Sequence, residues 1–334
     1  MTDDARHTAT PLLDTTSGVP APVGPAAPVG PTSTRTVRSA FDARRSSKTN
    51  LQLAAARFVR QRLAMLGLVI VVVLTATAVF APLVAPTGYQ AADLMAANQF
   101  PSWDHPFGTD TIGHDMLSRV IYGIRTSFIV GFAAVGVAIL IGVPLGMAAG
   151  LRGGWVDFLV LRIVEVMTAF PGILFAIFLF SVITSGVFGG LFDSQVFTVV
   201  FVIGVTSWVT LCRLMRAQIL QLREREYVTA ARSIGASEVE IAFRHLLPNA
   251  VPPMIVAITL AIPTAIFAEA GLSFLGLGIN EPVPSLGKMV ADSRQYIQLY
   301  WHLGFFPALA IALTVIGFAF VGDGLRDALD PQQH

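Results

Sequence analysis

Six apolar runs decide what this chain can become: Leu63 to about Ala85, Ser127–Gly150, Phe158–Ile183, Val196–Cys212, Val251–Leu275 and Leu303–Val321. Each approaches the roughly 20 residues that a helix needs to cross the hydrocarbon of a bilayer. Composition agrees, because the 334 residues are 54% hydrophobic and only 13% charged, against about 25% charged in a soluble globular protein. The mean hydropathy is +0.68. The fold expected is all-α: a polytopic membrane protein of about six transmembrane helices.

Charge distribution sets the expected topology, since Lys and Arg concentrate on the cytoplasmic side of a membrane. With both termini inside, the inner segments hold the cations from Arg6 through Arg62, including the cluster Arg44, Arg45, Lys48, Arg57, Arg60 and Arg62, then Arg152, then a run from Arg213 to Arg244, and finally Arg326. The outer segments hold only Arg119, Arg125, Lys288 and Arg294. Residues 1–50 are rich in Pro, Ala, Thr and Ser, repeat APVGP twice, and are expected to form a disordered cytoplasmic tail. The charged leader is too long for a signal peptide, so Leu63 opens an uncleaved first span. The chain then divides into an anchor span with an external loop over 51–124, a transmembrane domain over 125–325 and a short cytoplasmic tail over 326–334.

Between the fourth and fifth spans lies a polar island, Glu226 to Pro248. Tyr227, Ala230, Ala231 and Ile234 share helical spacing and one face. Glu226, Thr229 and Arg232 lie off that stripe. Gly235 stops this helix in a left-handed cap, Ser237 and Glu240 have capping-box spacing for a second helix, and Leu247-Pro248 is expected to end it. Pattern alone leaves two readings open: an amphipathic hairpin lying on lipid, or a rigid elbow whose small residues, with Ala236, admit a large partner.

Other features point to packing rather than chemistry. Gly142, Gly146 and Gly150 stand four apart around Pro144, a spacing that lets helix backbones approach in lipid, here more within the chain than against another subunit. Pro171 is expected to kink the third span. The lone Cys212 reads as a buried, inert thiol. Glu165 and Glu269 are acids inside spans, where ionised groups face a bundle interior or water. They are expected, with Ser273, to order helix packing and an outer gate rather than to relay protons. Glu165 has Arg162 and Arg152 within reach. His105, Asp110, His114 and Asp115 match no usual metal-ligand spacing. Neither of the two lysines, Lys48 and Lys288, sits in a phosphate-binding loop. No G-x-S-x-G or H-E-x-x-H occurs, and nothing suggests nucleic-acid binding.

The chain also resembles the membrane subunits of binding-protein-dependent ABC importers, over roughly Leu63 to Pro331. Their E-A-A-x-x-x-G-x(9)-I-x-L-P loop is matched by Ala230, Ala231, Gly235, Leu247 and Pro248, with Thr229 in place of the Glu and His245 in place of the Ile. The dipeptide/oligopeptide branch reads E-Y-V-x-A-A-R-x-x-G-A-S, which Glu226 to Ser237 follow. Peptide permease C-type subunits also carry H-P-F-G-T-D-x-x-G-R-D-x-L-S-R, matched from His105 to Arg119 except at His114. The block Glu269 to Gly278 and the ending from Gly322 are similar to the same group.

The resemblance implies a type I importer (MetI-like) permease fold without a catalytic site. It implies that the loop 213–250, through Glu226, Tyr227, Ala230, Ala231, Arg232, Gly235, Ala236, Ser237 and Pro248, couples to cytoplasmic ATPases. ATP and Mg would be bound by two such ATPase subunits. The other implied partners are a homologous permease subunit, an extracytoplasmic solute-binding protein meeting the outer loop Asn280 to Tyr300, and a peptide substrate. Members of this subgroup also move nickel, haem and other solutes.

Overall fold

The computed structural model describes residues 50–187 and 194–329, which lie in one compact unit, Thr49–His334. The tail expected over 1–50 lies, all but its last residue, outside the described residues, as does most of the tail expected over 326–334. Helix α1 is Asn50–Arg60, α2 Arg62–Val79, and α3 the short Ala81–Val84. Then follow α4 Met116–Arg152, α5 Gly154–Ala169, α6 Gly172–Val182, α7 Gln195–Leu222 and α8 Glu226–Ser233. The chain closes with α9 Glu238–Ile241, α10 Leu247–Phe274, α11 Leu286–Ser293 and α12 His302–Leu329. No strand occurs among the described residues, only two isolated bridges in the loop before α4.

Five helices are long and apolar enough to cross a membrane: α2, α4, α7, α12, and α10 joined to α9 as Glu238–Phe274. A sixth span exists if the bent pair α5 and α6 counts as one. The expected continuous span over Phe158–Ile183 is therefore corrected. Its two halves meet at 94°, a break rather than a kink. A residue before proline is driven out of the helical region by the pyrrolidine ring. Phe170 accordingly takes φ −98°, ψ 142°, and Pro171 follows at ψ 125°. Two consecutive extended residues turn the chain, where a single lost hydrogen bond would only have bent it.

The expected end at Leu247-Pro248 is likewise corrected. The backbone widens into a π-turn over Ala242–Leu246 and continues into α10, with Leu246 and Leu247 both helical. A widened turn absorbs the donor that Pro248 lacks, so the helix passes through it.

The bundle is held most closely where α4 meets α7. A Cβ on Gly142 would come within 2.6 Å of the Trp208 carbonyl oxygen, and one on Gly150 within 2.7 Å of Ile219 Cβ. Gly146 between them faces the backbone of Cys212 even more closely. The stripe thus packs inside the chain, against the α7 backbone at Gly142 and Gly146 and against the Ile219 side chain at Gly150. Arg216 clamps α5 to the same helix through both oxygens of Asp157, with Nη2 2.6 Å from Oδ2.

Two apolar clusters fill the interior. One contains Val130, Ile203, Ile266 and Leu286. The other contains Cys212, Met215, Ile219, Ile241 and Met254. The bundle has two distinguishable ends. One gathers the C-termini of α4 and α7 with α8 and α9, since Arg223 of the α7 cap donates to the Gly150 carbonyl at 3.2 Å. The other gathers the N-termini of α4, α7 and α12 with α11, since the backbone N–H of Asn280 donates to Gln195 Oε1 at 2.8 Å.

Candidate functional site

The elbow begins at Arg225, whose extended backbone (φ −74°, ψ 145°) releases the chain from α7. Helix α8 then runs for 8 residues and stops at Gly235, which has φ +89°. Gly235 N–H donates to the Arg232 carbonyl at 3.0 Å, and Ala236 N–H to the Ala231 carbonyl at 3.1 Å. These two bonds define a Schellman cap, which needs the left-handed conformation glycine adopts without a Cβ clash. Ser237 N-caps α9, its Oγ accepting from the Glu240 backbone at 3.2 Å. The Glu240 carboxylate does not return to Ser237 but pairs with Arg244 at 3.2 Å, so half of the expected capping box forms. Arg232 spans the corner to Glu238, with Nε–Oε1 at 3.0 Å and Nη2–Oε2 at 3.3 Å.

The buried side of α8 is not the stripe expected from spacing. Val228 is fully buried and Ala231 nearly so, and both join the cluster around Ile241 and Met254. Tyr227, Ala230 and Ile234 face outward, Ile234 at 86% exposure. Glu226, Arg232, Gly235, Ser237 and Pro248 are also exposed, and Ala236 is half-buried. Only Ala231 of the expected apolar stripe belongs to the core. Val228 and Ala231 lie one turn apart on the same side of the helix, the side that faces Ile241 and Met254. The elbow therefore has one face fixed to its own bundle and a second, bearing Tyr227, Ala230 and Ile234, that is left exposed among the described residues, with only the His245 ring beside Tyr227. The anchors Val228 and Ile241 and the Arg232–Glu238 brace escape a search for periodicity because they act across the Gly235 corner.

Of the two intramembrane acids, Glu165 lies on the exposed side of α5 paired with Arg162. Glu269 is completely buried. Its Oε1 accepts from Ser273 Oγ and Ser285 Oγ, both at 2.8 Å, and Ser127 Oγ lies 3.3 Å from Oε2. Ser273 Oγ in turn accepts the Ile279 N–H at 3.2 Å. Ser285 also N-caps α11. Glu269 and Ser273 thus join α4, α10 and the α11 turn at one point, as packing residues. Ser127 and Ser285 complete the cluster without any local sequence signal.

Around the N-terminus of α4, His105 Nδ1 lies 3.0 Å from Asp115 Oδ1 and His114 Nδ1 2.8 Å from Asp110 Oδ2. Asp115 caps α4 by accepting the Ser118 N–H at 2.8 Å. Arg119, largely buried, reaches Asp110 at 2.7 Å and also pairs with Glu281 from the loop before α11. These side chains pair with one another, although Arg119 Nε is buried without a hydrogen-bond partner, and among the described residues no His, Cys, Asp and Glu group is placed to hold a metal. Burial pushes the Asp110 carboxyl up, but the backbone and side-chain bonds from His114 and the charge of Arg119 outweigh it, leaving Asp110 below its ordinary value.

Known proteins share the family and the fold of this chain. Residues 142–334 match the family described as binding-protein-dependent transport system inner membrane component. Residues 49–101 match the N-terminal TM domain of oligopeptide transport permease C. The chain is 42% identical over 298 residues to the oligopeptide transport system permease protein OppC of Bacillus subtilis, covering 88% of this chain and 94% of that protein. It is 40% identical over 296 residues to the dipeptide transport system permease protein DppC of the same organism, covering 88% and 90%. It is 42% identical to the glutathione transport system permease protein GsiD of Escherichia coli, covering 83% and 88%. An inward-facing structure of the MetNI methionine ABC transporter superimposes with TM-score 0.53 at 19% identity, over 64% of this chain and 98% of that one, a likeness of fold. With more than half of its length inside the family match and relatives at this identity, the chain belongs to the binding-protein-dependent transport system inner membrane components, as a permease subunit of the oligopeptide permease C type.

Proposed function

We propose that this subunit forms half of the pore of an ATP-driven importer of dipeptides or oligopeptides, and that the α8–α9 elbow is its cytoplasmic docking element. The observation that carries the reading is the uncovered face of Tyr227, Ala230 and Ile234 on an elbow braced by Arg232–Glu238 and capped at Gly235. A hydrophobic face left open beside a rigid corner suits a groove on a partner protein. The relatives above, transport permeases for oligopeptides, dipeptides and glutathione, supply the substrate class. Partner ATPases bind ATP and Mg, and a homologous permease supplies the other half of the pore. Both termini and the elbow lie in the cytoplasm of a bacterial inner membrane, and α11 faces outward toward a solute-binding protein. ATP closes the ATPase dimer, the dimer draws the two elbows together, and the bundles open outward to receive substrate.

Ile234→Glu tests the docking role without touching the core. The variant is expected to insert normally and to lose ATPase co-purification and uptake by about tenfold or more, the scale of a lost interface anchor. Normal co-purification together with normal uptake would remove the elbow from the mechanism.

A further inference from the structure

At the end of the bundle opposite the elbow, a cavity of about 340 Å³ opens between the start of α4, the Glu281 loop and α11. Its floor is apolar and buried, formed by Met116, Met289 and Leu303. Its rim is exposed and polar, with Glu281, Asp292, Gln295 and Tyr296. The charges do not balance. Asp110, Glu281 and Asp292 line the cavity, whereas the cations engaging them are Arg119, shared by Asp110 and Glu281, and Lys288, 2.8 Å from Asp292. Arg119 is shared by two carboxylates, and His114 Nδ1 also meets Asp110 at 2.8 Å, so the rim acids Glu281 and Asp292 keep only the shared Arg119 and Lys288.

We propose that this cavity receives one basic side chain, Lys or Arg, from the extracytoplasmic solute-binding protein. A basic side chain matches both halves of the site. Its methylene stem covers the methionine and leucine floor, and its charged head stays at the wet rim beside Glu281 and Asp292. Tyr296 adds an aromatic face suited to a cation. A purely apolar occupant would strip water from Glu281 and Asp292 and return nothing, and an acidic one would meet excess negative charge. The volume admits one long side chain and excludes a folded segment. This inference rests on the importer reading, which places this end of the bundle outside and names the partner.

The test uses the assembled complex of both permeases and the ATPases in lipid nanodiscs, titrated with the cognate binding protein at several salt concentrations. Gln295→Lys and Asp292→Lys place a positive charge on the exposed rim and are expected to raise the Kd by about tenfold and flatten its salt dependence. Gln295→Glu adds a negative charge and is expected to tighten binding severalfold, which guards against reading misassembly as lost docking. An unchanged Kd and salt slope in all three variants, with intact complex recovered by gel filtration, overturns the inference and leaves the importer reading in place. A changed KM for cationic peptides with an unchanged Kd assigns the cavity to the substrate's amine and also overturns it. A wild-type complex that fails to bind the partner defeats both readings.

Discussion

Glu269 shows how much one side chain can organise. Three hydroxyls converge on it from α4, α10 and the cap of α11. Because Ser273 Oγ accepts the Ile279 N–H, its own proton is free for Glu269 Oε1. The role is therefore acceptance of hydrogen bonds, which an amide oxygen also performs. Glu269→Gln is expected to keep thermal stability in detergent within about 1 kcal/mol of the parent, whereas Glu269→Ala, which leaves buried hydroxyls without an acceptor, costs about 2–4 kcal/mol. Equal damage from both would mean that the negative charge itself is required. Asp110 behaves differently. Its folded value lies below the ordinary 3.8, so its stabilisation is present above that pH and is lost as pH falls through the depressed folded value. Asp110→Asn is expected to cost about 1.5–3 kcal/mol at neutral pH and to remove this acid dependence, read by thermal unfolding across pH. Glu269 and Ser273 stand out in sequence because charge inside an apolar run is rare. Their partners do not, because Ser127 lies 142 residues from Glu269 and Glu281 lies 162 residues from Arg119, and no local pattern encodes such separations.

At the level of elements, legibility followed the nature of the signal. Small-residue spacing at Gly142, Gly146 and Gly150 pointed to close helix contact, and the contact is with α7. Gly235 read as a helix stop and is one. The face of α8 did not read correctly, because Tyr227 and Ile234 look like core residues on a helix that buries Val228 instead. An apolar residue reserved for a second protein is indistinguishable, in one sequence, from one reserved for the interior. The break at Phe170–Pro171 was legible as a proline effect but not in size, since a kink and a 94° turn begin from the same lost donor. Two substitutions probe these elements. Gly146→Val inserts a branched side chain where even a Cβ would clash with the Cys212 carbonyl, and is expected to lower stability by about 1–3 kcal/mol or more, read as early thermal aggregation in detergent. A Cβ at Gly235 meets no neighbouring atom within 4 Å, so in Gly235→Ala only backbone strain acts, about 1–2 kcal/mol. This variant is expected to preserve membrane insertion while weakening uptake. An unaffected Gly146→Val variant would mean that α4 and α7 are less closely apposed than the geometry states.

For the molecule as a whole, hydropathy identified the spanning helices and charge asymmetry suggested their direction, because both effects accumulate over many residues. The contact between α4 and α7 has a mechanical corollary. Where two rods meet at three glycines on successive turns, with no room for even a Cβ between them, sliding or splaying them would open a seam that no side chain can fill. They must travel as a single beam, and any rocking has to be absorbed by softer joints such as the Phe170–Pro171 bend. Spin labels at Leu140 and Ala217 are then expected to hold one separation through a complete nucleotide cycle, while a pair at Leu140 and Phe178 changes its spacing. A first pair that lengthened on adding ATP would show the beam to be a hinge.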